Sequence, residues 1–299
     1  MTAPLPENAV WLITGCSSGL GLHLSKIISQ HPTYKLVATA RKLSSLSYLS
    51  SSPNILKLAL DVTSQASVDA AIQESVSHFG RIDVLINNAG YGLFGDIEGT
   101  SDAQARAQLE TNFWGSVNMT KAILPIFREV NPAGVGGVVI QVSSLGGYIG
   151  FPGQSFYHAS KFALEGFTEA VSKEMFPEWN IRFMIFEPGG MKTEYAGTSL
   201  QVLERHPAYV HPDGPTSQLM RYFEGPSVSS TWADPEVVSR VLIKVAASED
   251  VPLRLPSGGD AWGMISMDVD ATRKELDKWR VVSESTTSTE QFRSIDFLK

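Results

Sequence analysis

The chain has one cysteine, Cys16, in 299 residues. No intrachain disulfide can form, and so few thiols suit a reducing compartment, so a cytoplasmic location is expected. Long apolar runs are also missing. None reaches the roughly 18 residues that a bilayer-crossing helix needs, so no membrane span is expected. Met1 to Asn8 has no basic stretch, and the first apolar segment, Ala9 to Ile13, is too short for a secretory signal. Positive charge is in deficit, with 24 Lys and Arg against 31 Asp and Glu, a net charge of −7. That balance argues against a nucleic-acid partner, which calls for a basic surface, and leaves room for a local basic pocket around one phosphate. Metal-ligand spacing is missing as well. His206 and His211 sit beside Pro207 and Pro212 without a ligand motif, and Asp268 and Asp270 read as solvated, so no metal is expected. With 18% charged and 43% hydrophobic residues, the chain has the composition of one globular α/β domain.

What is present is an alternation of short apolar runs and longer helical patterns. Val10 to Ile13, Lys35 to Ala40, Ile55 to Leu60, Ile82 to Ile86, Gly137 to Val142 and Ile181 to Phe186 read as strands, with Leu253 to Leu255 as a possible seventh. Helical spacing follows at Leu20, Leu24, Ile27 and Ile28, from Ser64 to Phe79 with Gly80 as a stop, from Ser101 to Val130, and from Ser155 to Phe176 ahead of Pro177. Strands that are apolar throughout and separated by helices predict a parallel sheet of about seven strands covered on both faces. The expected fold is a Rossmann-like, doubly wound single domain, with its ligand at the carboxyl ends of the strands. Residues 1–260 form the expected catalytic domain, including a long substrate loop at 190–234. Residues 261–299 form a C-terminal extension whose Ser283 to Thr289 stretch reads as a loose tail.

Thr14-Gly15-Cys16-Ser17-Ser18-Gly19-Leu20-Gly21 follows the first strand and opens a helix. Gly15 can make the tight turn, Gly19 lets backbone approach a pyrophosphate, and the helix N-terminus stabilises the anion. The spacing is GxxxGxG, and without its context this would be an ordinary strand-to-helix turn. After the second strand comes Ala40-Arg41-Lys42, with no acid to grip a ribose 2′-hydroxyl. A guanidinium there can pair with a 2′-phosphate, with Ser17 adding a hydroxyl; the plain alternative is solvated surface charge. Asp61-Val62 ends the third strand, at reach of an adenine edge. Asn87-Asn88-Ala89-Gly90 ends the fourth, where small residues let a cofactor pass and Asn amides can tie strand ends together.

Tyr157 and Lys161 stand at i and i+4, on one helical face. A free phenol, with pKa about 10, is a poor base near neutrality, and a nearby ammonium favours its phenolate. Ser144, 13 positions before Tyr157, can hydrogen-bond a carbonyl or alcohol oxygen. Asn112 is a polar amide inside a long helix. Each residue alone has an ordinary structural reading; the combination after a nucleotide loop carries the argument.

Taken in order, TGCSSGLG (14–21), Asp61-Val62, NNAG (87–90), Asn112, Ser143-Ser144, YHASK (157–161) and PGGMKT (188–193) resemble the short-chain dehydrogenase/reductase family, over about Val10 to Thr193 and more weakly to Gly258. The pieces around the first helix are similar to NADP-preferring members that include hydroxysteroid and retinol dehydrogenases. The resemblance implies an NADP(H)-dependent oxidoreductase interconverting a carbonyl and a secondary alcohol. Tyr157 would be the acid/base. Lys161 would lower its pKa and hold the nicotinamide ribose. Ser144, with Ser143 as fallback, would orient the carbonyl. Asn112 would kink its helix and hold a water linked to Lys161. Cofactor contacts are expected from Gly15, Ser17, Ser18, Gly19, Leu20, Arg41, Asp61, Val62, Asn88, Ala89, Gly90, Tyr157, Lys161, Pro188, Gly189 and Thr193. A nucleotide-binding scaffold without turnover, or a redox-neutral isomerase or dehydratase, are the competing functions.

Met191, Tyr195, Leu200, Leu203, Tyr209, Leu219, Met220, Tyr222, Phe223 and Trp232 crowd the 190–234 segment, with Tyr91, Leu93, Phe94, Tyr148, Ile149 and Phe151 on neighbouring loops. They predict a pocket for a fairly large lipophilic substrate; a small satellite core is the alternative. Apolar residues on more than one face of the helices at 101–130 and 155–176 predict a homodimer or homotetramer.

Overall fold

The computed structural model describes residues 5–193, 200–225 and 229–286. Its centre is a seven-stranded sheet of β1 (Val10–Ile13), β2 (Lys35–Ala40), β3 (Ile55–Ala59), β4 (Val84–Asn87), β6 (Gly137–Val142), β7 (Ile181–Pro188) and β9 (Arg254–Ser257). The order is β3-β2-β1-β4-β6-β7-β9 and every neighbouring pair is parallel. Val-, Ile- and Leu-rich strands such as VWLI and GVVIQV are buried along their whole length, as a sheet covered on both faces requires. On one face α1 (Gly19–Ser29) and α7 (Pro235–Ala246) bring Leu24, Ile28 and Leu242 onto Trp11 and Ile140. On the other, α2 (Gln65–Phe79) and α4 (Gly115–Pro125) bring Val68, Ile72, Met119 and Ile123 onto Leu12 and Val139. The chain leaves β1 towards β2 and β3 and then crosses to β4, so β1 and β4 flank the point where strand order reverses. In such sheets that is where a ligand crevice opens.

The stop at Gly80 is realised as a left-handed cap with φ 79°. The region from 101 to 130 is helical but not one uninterrupted α-helix. It runs as α3 (Asp102–Leu109), a π turn (Glu110–Trp114), α4 and a second π turn (Ile126–Val130). A π turn carries one extra residue and re-aims the side chains around it. Here it carries Asn112 and ends against Gly115, whose hydrogen faces Val62 where a Cβ would stand 2.5 Å from the valine methyl.

Two expectations need correction. The 190–234 segment is not a structureless loop. It contains β8 (Leu200–Val202), paired in parallel with the short β5 (Gly92–Phe94), and α6 (Pro215–Glu224). Three-residue strands are too short to show a period of two in sequence. The loose tail is also partly wrong: Ser283 and Glu284 end a 26-residue helix, α8 (Gly259–Glu284), and Ser285 and Thr286 form a turn. Residues 287–289 and Tyr195 lie outside the described residues. Among the described residues, no helix is long and apolar enough to cross a membrane.

Candidate active site

A cavity of about 520 Å³ opens at the carboxyl ends of β1, β4, β6 and β7. Its floor is the glycine loop. Gly15 holds φ +72°, and a Cβ there would meet the Ala89 backbone at 2.9 Å, so only glycine allows the loop to lie on the end of β4. Thr14 and Asn88 lock that contact. The Asn88 and Ala89 amides both donate to Thr14 Oγ1 at 2.9 Å, and Asn88 Nδ2 donates to the carbonyls of Thr14 and Gly15. Asn87 is tied sideways to Gln141 and Thr120. Both amides thus brace strand ends, and the loop is held open over the N-terminus of α1.

The opposite wall is built on α5 (Ser155–Glu174) and the turn after β6. Tyr157 and Lys161 share the inner face of α5, with Lys161 Nζ 5.8 Å from the Tyr157 ring centre. Lys161 is buried and donates to the Val142 carbonyl at 2.7 Å. Burial pulls its ammonium pKa down to about 8, and the Glu165 carboxylate works against that shift. The two serines separate clearly. Ser143 donates to Glu165, whereas Ser144 Oγ accepts from Gly146 N at 3.0 Å, and both residues line the cavity. His158 is structural. Its Nε2 accepts from Phe151 N at 2.9 Å, which leaves Nδ1 to donate to the Gly146 carbonyl at 2.7 Å, and burial lowers its pKa.

Asn112 lies beneath this wall. Its amide exchanges two hydrogen bonds with the Tyr91 backbone, both 3.0 Å, and donates to Ser160 Oγ at 3.1 Å. A Cβ on Gly90 would stand 3.1 Å from Asn112 Oδ1 and 3.8 Å from Lys161 Nζ, so Asn112 and Lys161 converge on that glycine.

Of the residues singled out in the sequence, Gly15, Ser18, Gly19, Leu20, Asn88, Ala89, Gly90, Ser144, Tyr157, Lys161, Pro188, Gly189 and Thr193 line the one cavity. Ser17, Arg41, Asp61 and Val62 do not. Cys16 N donates to the Thr39 carbonyl at 2.8 Å, which sets Ser17 and Arg41 on either side of one crossing at the rim. Asp61 accepts twice from Thr63, and these bonds, helped by the Arg41 charge, lower its pKa. The Val62 side chain packs against Gly115 and its carbonyl accepts from Asn118, so only its backbone edge is left for a ligand.

The lid is apolar. Met191, Leu219, Tyr222, Phe223 and Trp232 line the cavity, together with Tyr91 and Phe151. Met191 bridges Ala233, which closes the base of the segment, and Arg205 anchors it to the body by gripping the buried Asp96 with two nitrogens, at 2.6 and 3.2 Å. Leu203 and Tyr209 serve the anchoring instead, packing on Gly95 and donating to Glu98.

Sequence reasoning missed two groups. Asp260, at the start of α8, accepts from Gly190 N at 2.7 Å, lines the cavity and pins the corner after β7. Its signal is the Gly258-Gly259-Asp260 run just past the last strand. Arg254 donates at 2.6 Å to both Glu165 and Glu187, under the Ser143 turn. Burial first, and then Glu165, push the Glu187 carboxyl up to about 7. No local pattern marks that cluster.

A family model of short chain dehydrogenases matches residues 9–202. An oxidoreductase of Penicillium decumbens is 40% identical over 294 residues, 97% of this chain and 96% of the relative. A retinol dehydrogenase of Bos taurus is 34% identical over 256 residues, 81% of this chain and 79% of the relative. The crystal structure of a short-chain dehydrogenase from Streptomyces avermitilis is 32% identical with a TM-score of 0.82, covering 93% of this chain and all of that one.

Proposed function

Because the chain belongs to the short-chain dehydrogenase family and is an oxidoreductase of alcohol and carbonyl groups, we propose that it uses NADP(H) to interconvert a carbonyl and a secondary alcohol on a fairly large lipophilic substrate. One observation carries this reading. A single cavity has a phosphate-compatible glycine loop at one end, Ser144, Tyr157 and Lys161 on one side, and an aromatic lid above them.

The cavity fits a dinucleotide. Gly15 and Gly90 line it at positions where a Cβ would press on Ala89 and Asn112, and α1 begins beside it without a side-chain cap, which leaves its first amides for an anion. Gly15, Ser18, Gly19 and Leu20 would hold the pyrophosphate, with Asn88, Ala89 and Gly90 along its path. Asp61 and the Val62 backbone would hold the adenine, and Pro188, Gly189 and Thr193 the nicotinamide end. Hydride chemistry belongs to the nicotinamide when it is bound. Tyr157 gives a proton to the carbonyl oxygen in reduction and takes it from the hydroxyl in oxidation. Lys161 favours the phenolate and would hold the nicotinamide ribose. Ser144 orients the substrate oxygen. Asn112, beside Lys161 around Gly90, would hold a water that extends the proton path.

The NADP preference rests on Arg41, Lys42 and Ser17 and on the lack of an acid at the end of β2. The substrate class rests on the lid, and the similarity to a retinol dehydrogenase points the same way. A homodimer or homotetramer through α4 and α5 is part of the proposal, because Trp114, at the π turn just before α4, and Phe162, on α5, stay exposed. A cytoplasmic location is proposed from the lone cysteine. The test is consumption of NADPH and NADH with a bulky cyclic ketone and with a small sugar. NADPH consumption with the ketone is expected. A preference for the sugar overturns the substrate class, and tight cofactor binding without redox change would make the protein a scaffold.

A further inference from the structure

Helix α8 is far longer than its support. Ala261 is its buried residue, Met264 lines the cavity, and from residue 270 to 284 every position is exposed. At 1.5 Å per residue, that is an arm of roughly 22 Å. A lone helix of about this length is marginal in water, so its folded form calls for a partner. The arm is not polar: Leu276 is 62% exposed, Trp279 50% and Val281 80%.

The spacing says what kind of partner. Trp262, Ile265, Val269, Thr272, Leu276, Trp279 and Ser283 recur at alternating steps of three and four. That is a heptad seam, with Trp262, Val269 and Leu276 at a and Ile265, Thr272 and Trp279 at d. The flanking g positions are Asp268 and Glu275, and the e positions are Arg273 and Arg280. In a parallel, in-register pair each g residue faces the e residue five positions on in the other helix. Asp268 then meets Arg273 of a second copy, and Glu275 meets its Arg280. An antiparallel pair would set arginine on arginine and acid on acid. A membrane surface is a poorer fit, since α8 carries six acidic residues (Asp260, Asp268, Asp270, Glu275, Asp277, Glu284) against four basic ones (Arg273, Lys274, Lys278, Arg280). In the single chain Arg280 pairs with its own Glu284 at 2.8 Å, an exposed contact of the kind that exchanges easily.

We propose that α8 is a dimerisation arm that pairs in parallel and in register with α8 of a second copy of this chain. The interface is separate from the α4 and α5 faces. Its root is the turn that gives Asp260 to Gly190 and Met264 to the cavity, so pairing braces one wall of the site from outside.

Cysteine scanning of the full chain tests this, because the native Cys16 is buried. Under mild oxidation Val269→Cys and Leu276→Cys, at a, should form an interchain disulfide that doubles the 32.5 kDa band, while Asp277→Cys, at b, should not. Adding Arg273→Glu and Arg280→Glu to Leu276→Cys should abolish the link. Mixing that protein with one carrying Leu276→Cys, Asp268→Arg and Glu275→Arg should restore it as a heterodimer. Equal linking at 276 and 277, linking that ignores the charge reversals, or no interchain link at 269 and 276 under oxidation would each overturn the arm. Uptake of an unlinked chain by phosphatidylcholine vesicles would assign α8 to lipid instead.

Discussion

Tyr157 and Lys161 make opposite demands on the fold. Tyr157→Phe removes one oxygen, and turnover is expected to fall by about 10²- to 10⁴-fold while cofactor affinity is kept; steady-state rates and a cofactor titration check this. Lys161 is a buried ammonium with a pKa near 8, against an ordinary 10.5. Between those values the unfolded chain binds a proton that the folded chain lacks, so stability from this group rises with pH across that window. Below pH 8 the full burial cost is carried. Lys161→Met is therefore expected to abolish turnover yet raise Tm at pH 7, with the gain shrinking toward pH 10.5 in thermal melts. Glu187 titrates the other way. Its carboxyl, near 7 rather than 4.5, keeps a proton that the unfolded chain has lost, so this contribution is complete below pH 4.5 and gone above 7. Glu187→Gln should melt like the parent at pH 4.5 and above it at pH 8; an unchanged difference across that range would contradict the assignment. The meeting of Ser144, Tyr157 and Lys161 at one cavity was legible in the sequence because a short turn and one helix place them. Glu165, Glu187 and Arg254 were not, because their burial depends on three elements far apart in the chain.

At the scale of elements, six of the sheet strands were readable as mainly apolar runs, because most of their residues are buried between two helical layers, while polar residues such as Thr39 and Gln141 are few and Lys57 sits on the partly exposed edge strand β3. The π turn was not readable. It depends on Asn112 finding Tyr91 and Ser160, and on Gly115 giving way to Val62. Helix α8 was hidden by Gly259 and Gly263 in its first turns and by an apolar pattern that points away from its own domain. The start of β6 offers a sharp test. Gly136 has φ +59°, and a Cβ there would stand 2.1 Å from the Asn180 carbonyl oxygen and 2.3 Å from that of Trp179. Gly136→Ala meets both a left-handed backbone and two immovable oxygens, so a loss of more than about 2 kcal/mol in urea unfolding is expected.

For the whole molecule, the proposed function puts cofactor choice at the rim and substrate choice under the lid, so the two should separate by mutation. Arg41→Asp is expected to weaken NADPH by roughly 10- to 150-fold while leaving NADH nearly unchanged, as measured by dissociation constants. The ratio of rates for large and small ketones should not move. Equal affinity of the parent for both cofactors would remove the basis for the preference. The Asp260 contact also has a consequence for synthesis. The glycine loop, β1 to β4 and the end of β7 are all made before their last partners: Glu187 waits 67 positions for Arg254, and Gly190 waits 70 for Asp260. At about 5–20 residues per second, a chain on the ribosome spends roughly 4–14 s with the site's far wall unmade. The apolar lid residues, themselves made within that interval, have no closed cavity to cover until Asp260 follows, and a chaperone, rather than the rest of the domain, is what can shield them.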